Sequence, residues 1–404
     1  MINIAILGYG TVGSGVAEVI EKNQGKVSRK ATDELVIKYI LDVRDFPGDP
    51  YQDRITNDFE RIVGDPEVSI ICESIGGINP AYDFTKRALL AGKSVCTSNK
   101  ELVAAHAPEL LAIAREMNCN YLFEASVGGG IPIIRPLNYS LAAEQIECVI
   151  GILNGTTNFI LTKMEKEGAD FDAVLREAQR LGYAEMNPAD DVDGIDVCRK
   201  IAILSSLMTG RNVRHRDIHT EGITAISATD FLYAKALGMT IKLLAHSQYD
   251  DDGRLGILVA PFMLGPEHPL YFVSGVYNAV FVRGTTLGDS MYYGQGAGKL
   301  PTASAIVSDI VDCARHPGKT TMCFWDSENV EIAPISERKG RFFVRMASGN
   351  ENTNAAAALF ASHEAVSVSV TGEYAFICGP MSEADFERAC AALPGGIISR
   401  IRIS

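Results

Sequence analysis

The sequence predicts an α/β protein in three parts: a doubly wound parallel sheet, a middle α+β domain with a mixed sheet, and a small βαββαβ unit at the end. Three observations predict it. A short apolar run, Ile2–Leu7, opens directly onto Gly8-Tyr9-Gly10-Thr11-Val12-Gly13. Strand-like and helix-like runs then alternate as far as Ala125. Residues 341–404 run strand, helix, hairpin, helix, strand.

The first run reads as a buried strand, and SGVAEVIEK after the glycines reads as a helix. GxGxxG in strand–turn–helix context is the dinucleotide-binding arrangement of a Rossmann-type sheet. Gly8 permits the tight turn, Gly10 lets a pyrophosphate approach the backbone, and Gly13 lets helix and strand pack closely. The strand 35–42 ends where an adenine ribose would lie. Asp42 there suits a free 2′-hydroxyl and Arg44 suits a 2′-phosphate, so NAD and NADP both stay open. Strands at 68–72, 94–97 and 121–125 and helices at 80–91 and 101–118 complete a parallel sheet with right-handed crossovers.

Two strand ends stand out. Ser98-Asn99-Lys100 lies at the carboxyl edge, where such sheets bind ligands. Lys100 there reaches phosphate, nicotinamide or substrate, or is merely solvated. Glu124 precedes the triplet Gly128-Gly129-Gly130. One carboxylate with exposed carbonyls suits a monovalent or Ca²⁺-like cation; a plain crossover between domains reads equally well.

In the middle domain a strand at 147–153 leads into Asn154-Gly-Thr-Thr-Asn158, a site loop with Thr156 or Thr157 capping the next helix. The stretch 178–200, AQRLGYAEMNPADDVDGIDVCRK, follows. Glu185, Asp190, Asp191, Asp193 and Asp196 gather around Lys200, with Gly182, Pro188 and Gly194 turning the chain. Asp196 and Lys200 are four apart and share a helix face. After them IAILSSLM reads as a buried helix. A lysine at the mouth of a buried helix beside carboxylates is a candidate acid/base group; the plainer reading is an i,i+4 salt bridge. Helices through Gly210 and over 230–249, then strands at 255–261, 276–283 and 287–293, make an open sheet covered by helices. A second glycine turn, 294–298, precedes a helix over 299–315 that returns to the first domain. The expected division is 1–130, 131–299, a linker at 316–339, and 340–404.

Composition narrows the function classes. A chain of 404 residues exceeds one simple core. Its net charge of −13 argues against general nucleic-acid binding and anionic membrane surfaces. The nine cysteines form no CxxC and sit in apolar runs, as reduced thiols of a cytoplasmic protein do. MINIAILGYG lacks a basic leader, and no apolar run reaches membrane-spanning length. The seven histidines are dispersed, so no transition-metal site is expected.

The motifs resemble those of the homoserine dehydrogenase family over nearly the whole chain. Ala178, Gly182, Asn187-Pro188, Asp191, Gly194, Asp196 and Lys200 fill the family's most specific pattern. Thr97-Ser-Asn-Lys100, Glu124 with its glycines, Asn154-Gly-Thr-Thr-Asn158 and 294–298 support it. The resemblance implies NAD(P)-linked interconversion of L-homoserine and L-aspartate 4-semialdehyde in amino-acid biosynthesis, with NADP the favoured cofactor. It implies Lys200 as proton donor and Lys100 as a second acid/base group. Glu185, Asp191, Asp196, Thr156 and Tyr183 would bind substrate. Gly8, Gly10, Thr11, Val12, Gly13, Arg44, Ser98, Lys100, Gly182 and Gly296 would contact the cofactor. Glu124, with the backbones of Val127, Gly129 and Ile131, would hold Na⁺ or K⁺. Members associate through the middle domain, so a homodimer or homotetramer is expected. The last unit resembles an ACT domain, often a threonine sensor. Its usual Asp-x-Pro-Gly-like turn is replaced by Ala347-Ser-Gly-Asn-Glu-Asn352, which leaves effector binding and simple assembly both open.

Overall fold

The computed structural model describes residues 1–404 apart from Cys323, Ala361 and Ser369. The chain divides into two compact units. One is 1–144, 202–215 and 292–330; the other is 145–201, 216–291 and 331–404.

The first unit holds six strands: β1 (Ile2–Leu7), β2 (Leu35–Leu41), β3 (Ile55–Thr56), β4 (Val68–Glu73), β5 (Ser94–Thr97) and β6 (Tyr121–Leu122). They form one parallel sheet in the order β3-β2-β1-β4-β5-β6. The chain runs outward one way from β1 and then the other way from β4. That makes the β1–β4 boundary the topological switch point, where ligands bind in such sheets. The apolar run of β1 is buried from Ile4 to Leu7, as a central strand covered on both faces requires. Helix Lys299–Arg315 packs on helix Thr11–Lys22. A Cβ at Gly15 would meet the Lys299 carbonyl at 2.9 Å, so the two backbones approach closely there. The segment read as a linker is packed over part of its length: Phe324 and Trp325 are buried, with their rings 4.6 and 5.6 Å from Phe123. Three aromatic rings in contact bury too much apolar surface for a free tether.

The second sheet is mixed. Its strands are β7 (Ile146–Ile152), β8 (His219–Thr220), β9 (Thr240–Tyr249), β10 (Leu255–Leu264), β11 (Tyr277–Gly284), β12 (Gly288–Gln295), β13 (Lys339–Ala347), β14 (Glu364–Val366), β15 (Glu373–Ser382) and β16 (Ser399–Ile403). The order is β12-β11-β7-β9-β10-β16-β13-β15-β14, with β8 beside β10. The expected helix over 230–249 is corrected here. Helix Ala228–Ala236 stops near Gly238, whose φ of +68° suits glycine, and Thr240–Tyr249 pairs antiparallel with β10 over ten residues. The run TIKLLAHSQY fits both periods, and pairing within the sheet decides for the strand. Strand β10, LGILVAPFML, is covered on both faces, whereas β12 alternates half-buried and exposed along its length.

The last four strands keep the βαββαβ order, and their sheet order is fourth, first, third, second, a ferredoxin-like layout. They do not form a separate sheet: β16 pairs with β10 and continues the middle one. Phe342 and Phe386 stack at 3.9 Å in the core of this segment. The helix and hairpin expected there run over Ala361 and Ser369, which lie outside the described residues.

One titration follows from the packing. His246 on β9 faces Phe262 at 6.2 Å. Burial first, then Arg338 and His268, lower its pKa from 6.5 to about 3. The folded ring is therefore neutral where an unfolded one takes up a proton. Its contribution to stability is complete above pH 6.5 and is lost as the pH falls towards about 3. His246→Gln is expected to flatten the acid fall in unfolding free energy over that window. An acid slope unchanged from wild type would remove His246 from the balance.

Candidate active site

At the switch point the glycine turn is built by steric necessity. Gly8 has φ +90°, and a Cβ on it would lie 3.0 Å from the Ser74 carbonyl at the end of β4. A Cβ on Gly13 would lie 2.0 Å from the Gly8 carbonyl, so the third glycine closes the turn. A Cβ on Gly10 would meet nothing within 4 Å. The second glycine is thus not needed for packing and leaves open backbone. Gly10 is also the N-cap of helix Thr11–Lys22, with no side-chain cap, so the first N–H groups and the positive dipole end stay available. This arrangement fits a pyrophosphate. Thr11 is exposed and Val12 half-buried beside it.

Asp42 and Arg44, the two candidate readers of the ribose, bind each other. Asp42 Oδ1 accepts from Arg44 Nε at 3.0 Å and Oδ2 from Nη2 at 2.9 Å. Oδ2 also accepts the Tyr9 N–H at 2.8 Å. The hydrogen bonds from Arg44, helped by backbone N–H groups and opposed by burial, hold the Asp42 carboxyl far below the ordinary range. The Asp42 carboxylate is buried, while Arg44 is 58% exposed.

At the ends of β4 and β5 lies a network that the sequence reading did not single out. Thr97 Oγ1 donates to the buried Glu73 at 2.6 Å and accepts the Asn99 N–H at 2.9 Å. Asn99 caps helix Lys100–Glu116 through the Leu102 N–H and donates to the Gly77 carbonyl at 2.6 Å. Ser98 and Lys100 flank this buried cap and are half-exposed. The available signal was a carboxylate closing the apolar run VSIICE.

Glu124 is 4% exposed, and its carboxylate accepts three backbone N–H groups: Ile133 at 2.6 Å, Ile134 at 2.9 Å and Arg135 at 2.8 Å. Its own N–H donates to Asp309 at 2.9 Å, and Asp309 also takes Arg135 Nη2 at 2.5 Å. The carboxylate therefore orders the chain after the glycine triplet. Val127 and Ile131 are buried beside it. Gly129 has φ +56°, and a Cβ there would meet the Gly296 carbonyl at 2.3 Å. Gly296 thus gives the triplet a bare backbone to pack against. Among the described residues no group of three His, Cys, Asp or Glu side chains could hold a metal ion.

In the second unit, β7 ends at Ile152, and Asn154 caps helix Gly155–Glu167 by accepting the Thr157 N–H at 2.8 Å. The Asn154 amide donates to Asp191 at 2.7 Å and to Asp196 at 2.9 Å. Lys200 Nζ lies 2.8 Å from Asp196 Oδ2 and donates to the Leu153 carbonyl at 2.8 Å. Lys200 is 8% exposed and Asp196 3%. One asparagine, two carboxylates and one lysine are therefore tied together from β7, helix Ala189–Val192 and helix Ile195–Thr209. The pentad marked Asn154 as part of a loop; its bridging of the two acids was not read. The other acids stand apart from this knot. Asp190 pairs with Arg199 at 2.5 Å, and Glu185 is exposed on the loop 181–187. Thr156 Oγ1 donates to the Tyr183 carbonyl at 2.5 Å, which ties that loop to the capped helix. The Tyr183 ring lies 4.9 Å from Phe159. Gly182, with φ +76°, turns the chain into the loop.

Known proteins align with both units. Residues 8–124 match the family model of the homoserine dehydrogenase NAD-binding domain, and residues 132–311 match the model described as homoserine dehydrogenase. A homoserine dehydrogenase of Synechocystis sp. is 41% identical over 85% of this chain and 82% of its own length. A crystal structure of a homoserine dehydrogenase from Thiobacillus denitrificans aligns over 100% of this chain and 98% of its own, with TM-score 0.90 and 34% identity. A hyperthermophilic archaeal homoserine dehydrogenase in complex with NADPH covers 77% of this chain and 97% of its own, with TM-score 0.65 and 30% identity.

Proposed function

The chain belongs to the homoserine dehydrogenase family, and on that premise we propose that the knot of Asn154, Asp191, Asp196 and Lys200 binds L-homoserine and moves the hydroxyl proton. The activity is the NAD(P)-dependent interconversion of L-homoserine and L-aspartate 4-semialdehyde, a step of amino-acid biosynthesis. When bound, the nicotinamide supplies the hydride chemistry. What remains for the chain is to hold the substrate and move one proton. In the reducing direction Lys200 gives an N–H proton to the developing alkoxide and stabilises its charge; in the oxidising direction neutral Lys200 takes the hydroxyl proton. The observation that carries this reading is the placement of Lys200 Nζ between the Asp196 carboxylate and the Leu153 carbonyl. Two acceptors fix the ammonium and leave its third N–H to point at a ligand. Asp191 and Asp196 suit a substrate ammonium by charge-assisted hydrogen bonds. Glu185 and Tyr183 join the substrate site from the loop 181–187, and Thr156 from the helix tied to that loop; Lys100, at its own strand end, is a second acid/base group.

For the cofactor, Gly8, Gly10, Thr11, Val12 and Gly13 take the pyrophosphate, and Ser98 and Gly296 add contacts from the same unit. The preferred cofactor is NADP. The Asp42 carboxylate is already engaged by Tyr9 and Arg44, while the exposed guanidinium of Arg44 is the group a 2′-phosphate would recruit. A monovalent cation suits Glu124 with the backbone oxygens of Val127, Gly129 and Ile131, because a single carboxylate with carbonyls matches low charge. Exposed Met291 and Tyr293 on β12 support self-association through the second sheet, as a homodimer or homotetramer. The eight described cysteines are buried, which supports a reducing cytoplasm. The C-terminal unit is where a threonine effector would act.

The test is homoserine oxidation with NADP and NAD in parallel, for wild type and Arg44→Ala, with and without threonine. Arg44→Ala is expected to raise KM for NADP by about tenfold and leave KM for NAD within about twofold, the loss of one charge-assisted contact. Equal effects on both cofactors would remove Arg44 from the 2′-phosphate. Turnover with neither would overturn the reading.

A further inference from the structure

Resting on the acid knot as the substrate site, we propose that Arg402, in the last strand of the chain, is a positioning residue for that knot, acting through Glu221 and the segment 220–223. Strand β9 covers one edge of β10 along its full length, Leu255 to Leu264. Strands β8 and β16, both parallel to β10, therefore share its other edge end to end: β8 opposite Leu258 and Val259, β16 opposite Phe262 and Met263. Glu221 stands at the junction. Arg402 grips it with a two-pronged fork, Nη1 to Oε2 and Nη2 to Oε1, both 2.8 Å. The same guanidinium holds the buried Glu383 through Nε at 2.7 Å and Nη2 at 3.0 Å. With Arg402 5% exposed and four of its five N–H donors engaged, its plane is fixed. His219 at 2.7 Å and Arg400 at 3.9 Å also face Glu221.

From Glu221 the contact passes backbone to backbone. The Glu221 N–H donates to Val259 and the Ile223 N–H to Val192, each at 2.8 Å. A Cβ on Gly222 would sit 2.2 Å from the Val192 carbonyl and 2.6 Å from Asp193 Cα. A Cβ placed on Gly194, whose φ is +81°, would sit 3.3 Å from the Glu221 carbonyl. Residues 192–194 are the turn that separates Asp191 from Asp196. The segment 220–223 is thus the bed on which that turn lies, and the Arg402–Glu221 fork anchors the bed to the C-terminal strand. Packed backbones with no side chain between them transmit displacement directly.

The experiment compares Arg402→Gln, Glu221→Gln, the double variant and Asp196→Asn in steady-state homoserine oxidation. Each single glutamine variant is expected to lower kcat/KM for L-homoserine by about tenfold while cofactor KM stays within about twofold, because the displaced groups touch substrate. The double variant is expected to lose no more than the worse single, since both break the same Arg402–Glu221 fork. Folded single variants with kcat/KM for homoserine near wild type, beside a crippled Asp196→Asn, would overturn the positioning role and leave the substrate site standing. Equal losses toward homoserine and cofactor, or multiplied losses in the double variant, would overturn it as well. An active Asp196→Asn would overturn the site reading and this proposal together. Should Arg402→Gln fail to fold, the nearly isosteric Glu221→Gln decides alone.

Discussion

Lys200→Ala is expected to lower turnover with L-homoserine by at least about a hundredfold, the range of a lost general acid/base group. Cofactor affinity should change little, because the contacts of Lys200 run to Asp196 and the Leu153 carbonyl. The size of the effect follows from burial. Lys200 and Asp196 are both nearly inaccessible, so bulk water cannot readily stand in for the missing ammonium. The variant also removes the cation beside the buried Asp196 carboxylate, which is left a charge short of its compensation. Some loss of thermal stability should therefore accompany the loss of turnover. Lys200→Arg separates the two effects: it restores the charge beside Asp196 and, as a group that does not give up its proton, does not restore turnover. The measurement is steady-state kcat together with a cofactor titration for both variants.

The second large effect is expected at the glycine turn, and two variants separate its causes. Gly13→Ala places a Cβ 2.0 Å from the Gly8 carbonyl, so the turn must open. Overpacking of that kind costs about 1–3 kcal/mol, and both Tm and cofactor affinity should fall. Gly10→Ala meets nothing within 4 Å and should leave Tm unchanged. Its methyl group would stand where a pyrophosphate approaches, so cofactor affinity should still fall by about tenfold or more, the effect of about 1.4 kcal/mol. Cofactor titration and thermal unfolding of both variants check this. A Gly10→Ala protein that binds cofactor like wild type would mean that the open face of the turn does not receive the phosphates.

What was legible in the sequence was whatever local chemistry dictates. The turn from Gly8 to Gly13 was readable because its first and third glycines answer short-range steric demands, as the close contacts of Gly8 and Gly13 show. The parallel sheet was readable because buried central strands are mainly apolar, as β1 is from Ile4 to Leu7 and β4 from Ile70 to Cys72. Strand β9 was misread because TIKLLAHSQY satisfies helical and strand spacing alike, and only its pairing with β10 distinguishes them. The five-acid stretch pointed to Lys200, yet it did not say which acids gather. Asp190 turned outward to Arg199, while Asn154, 42 residues before Asp196, became the bridge. The fork of Arg402 on Glu221 spans 181 residues and leaves no trace in local pattern. The continuation of the middle sheet into the last strands was hidden for the same reason, since β10 and β16 meet over a two-residue parallel pairing.

The most direct test of the central claim, that Lys200 handles the substrate proton, is a single-turnover experiment. Wild type and Lys200→Ala, each saturated with the oxidised cofactor, are mixed with L-homoserine and the appearance of reduced cofactor is followed in time, which separates the chemical step from product release. A rate lowered by at least about a hundredfold, with cofactor affinity within about threefold of wild type, is the predicted result. A single-turnover rate within about threefold of wild type would contradict it and assign the proton to another group.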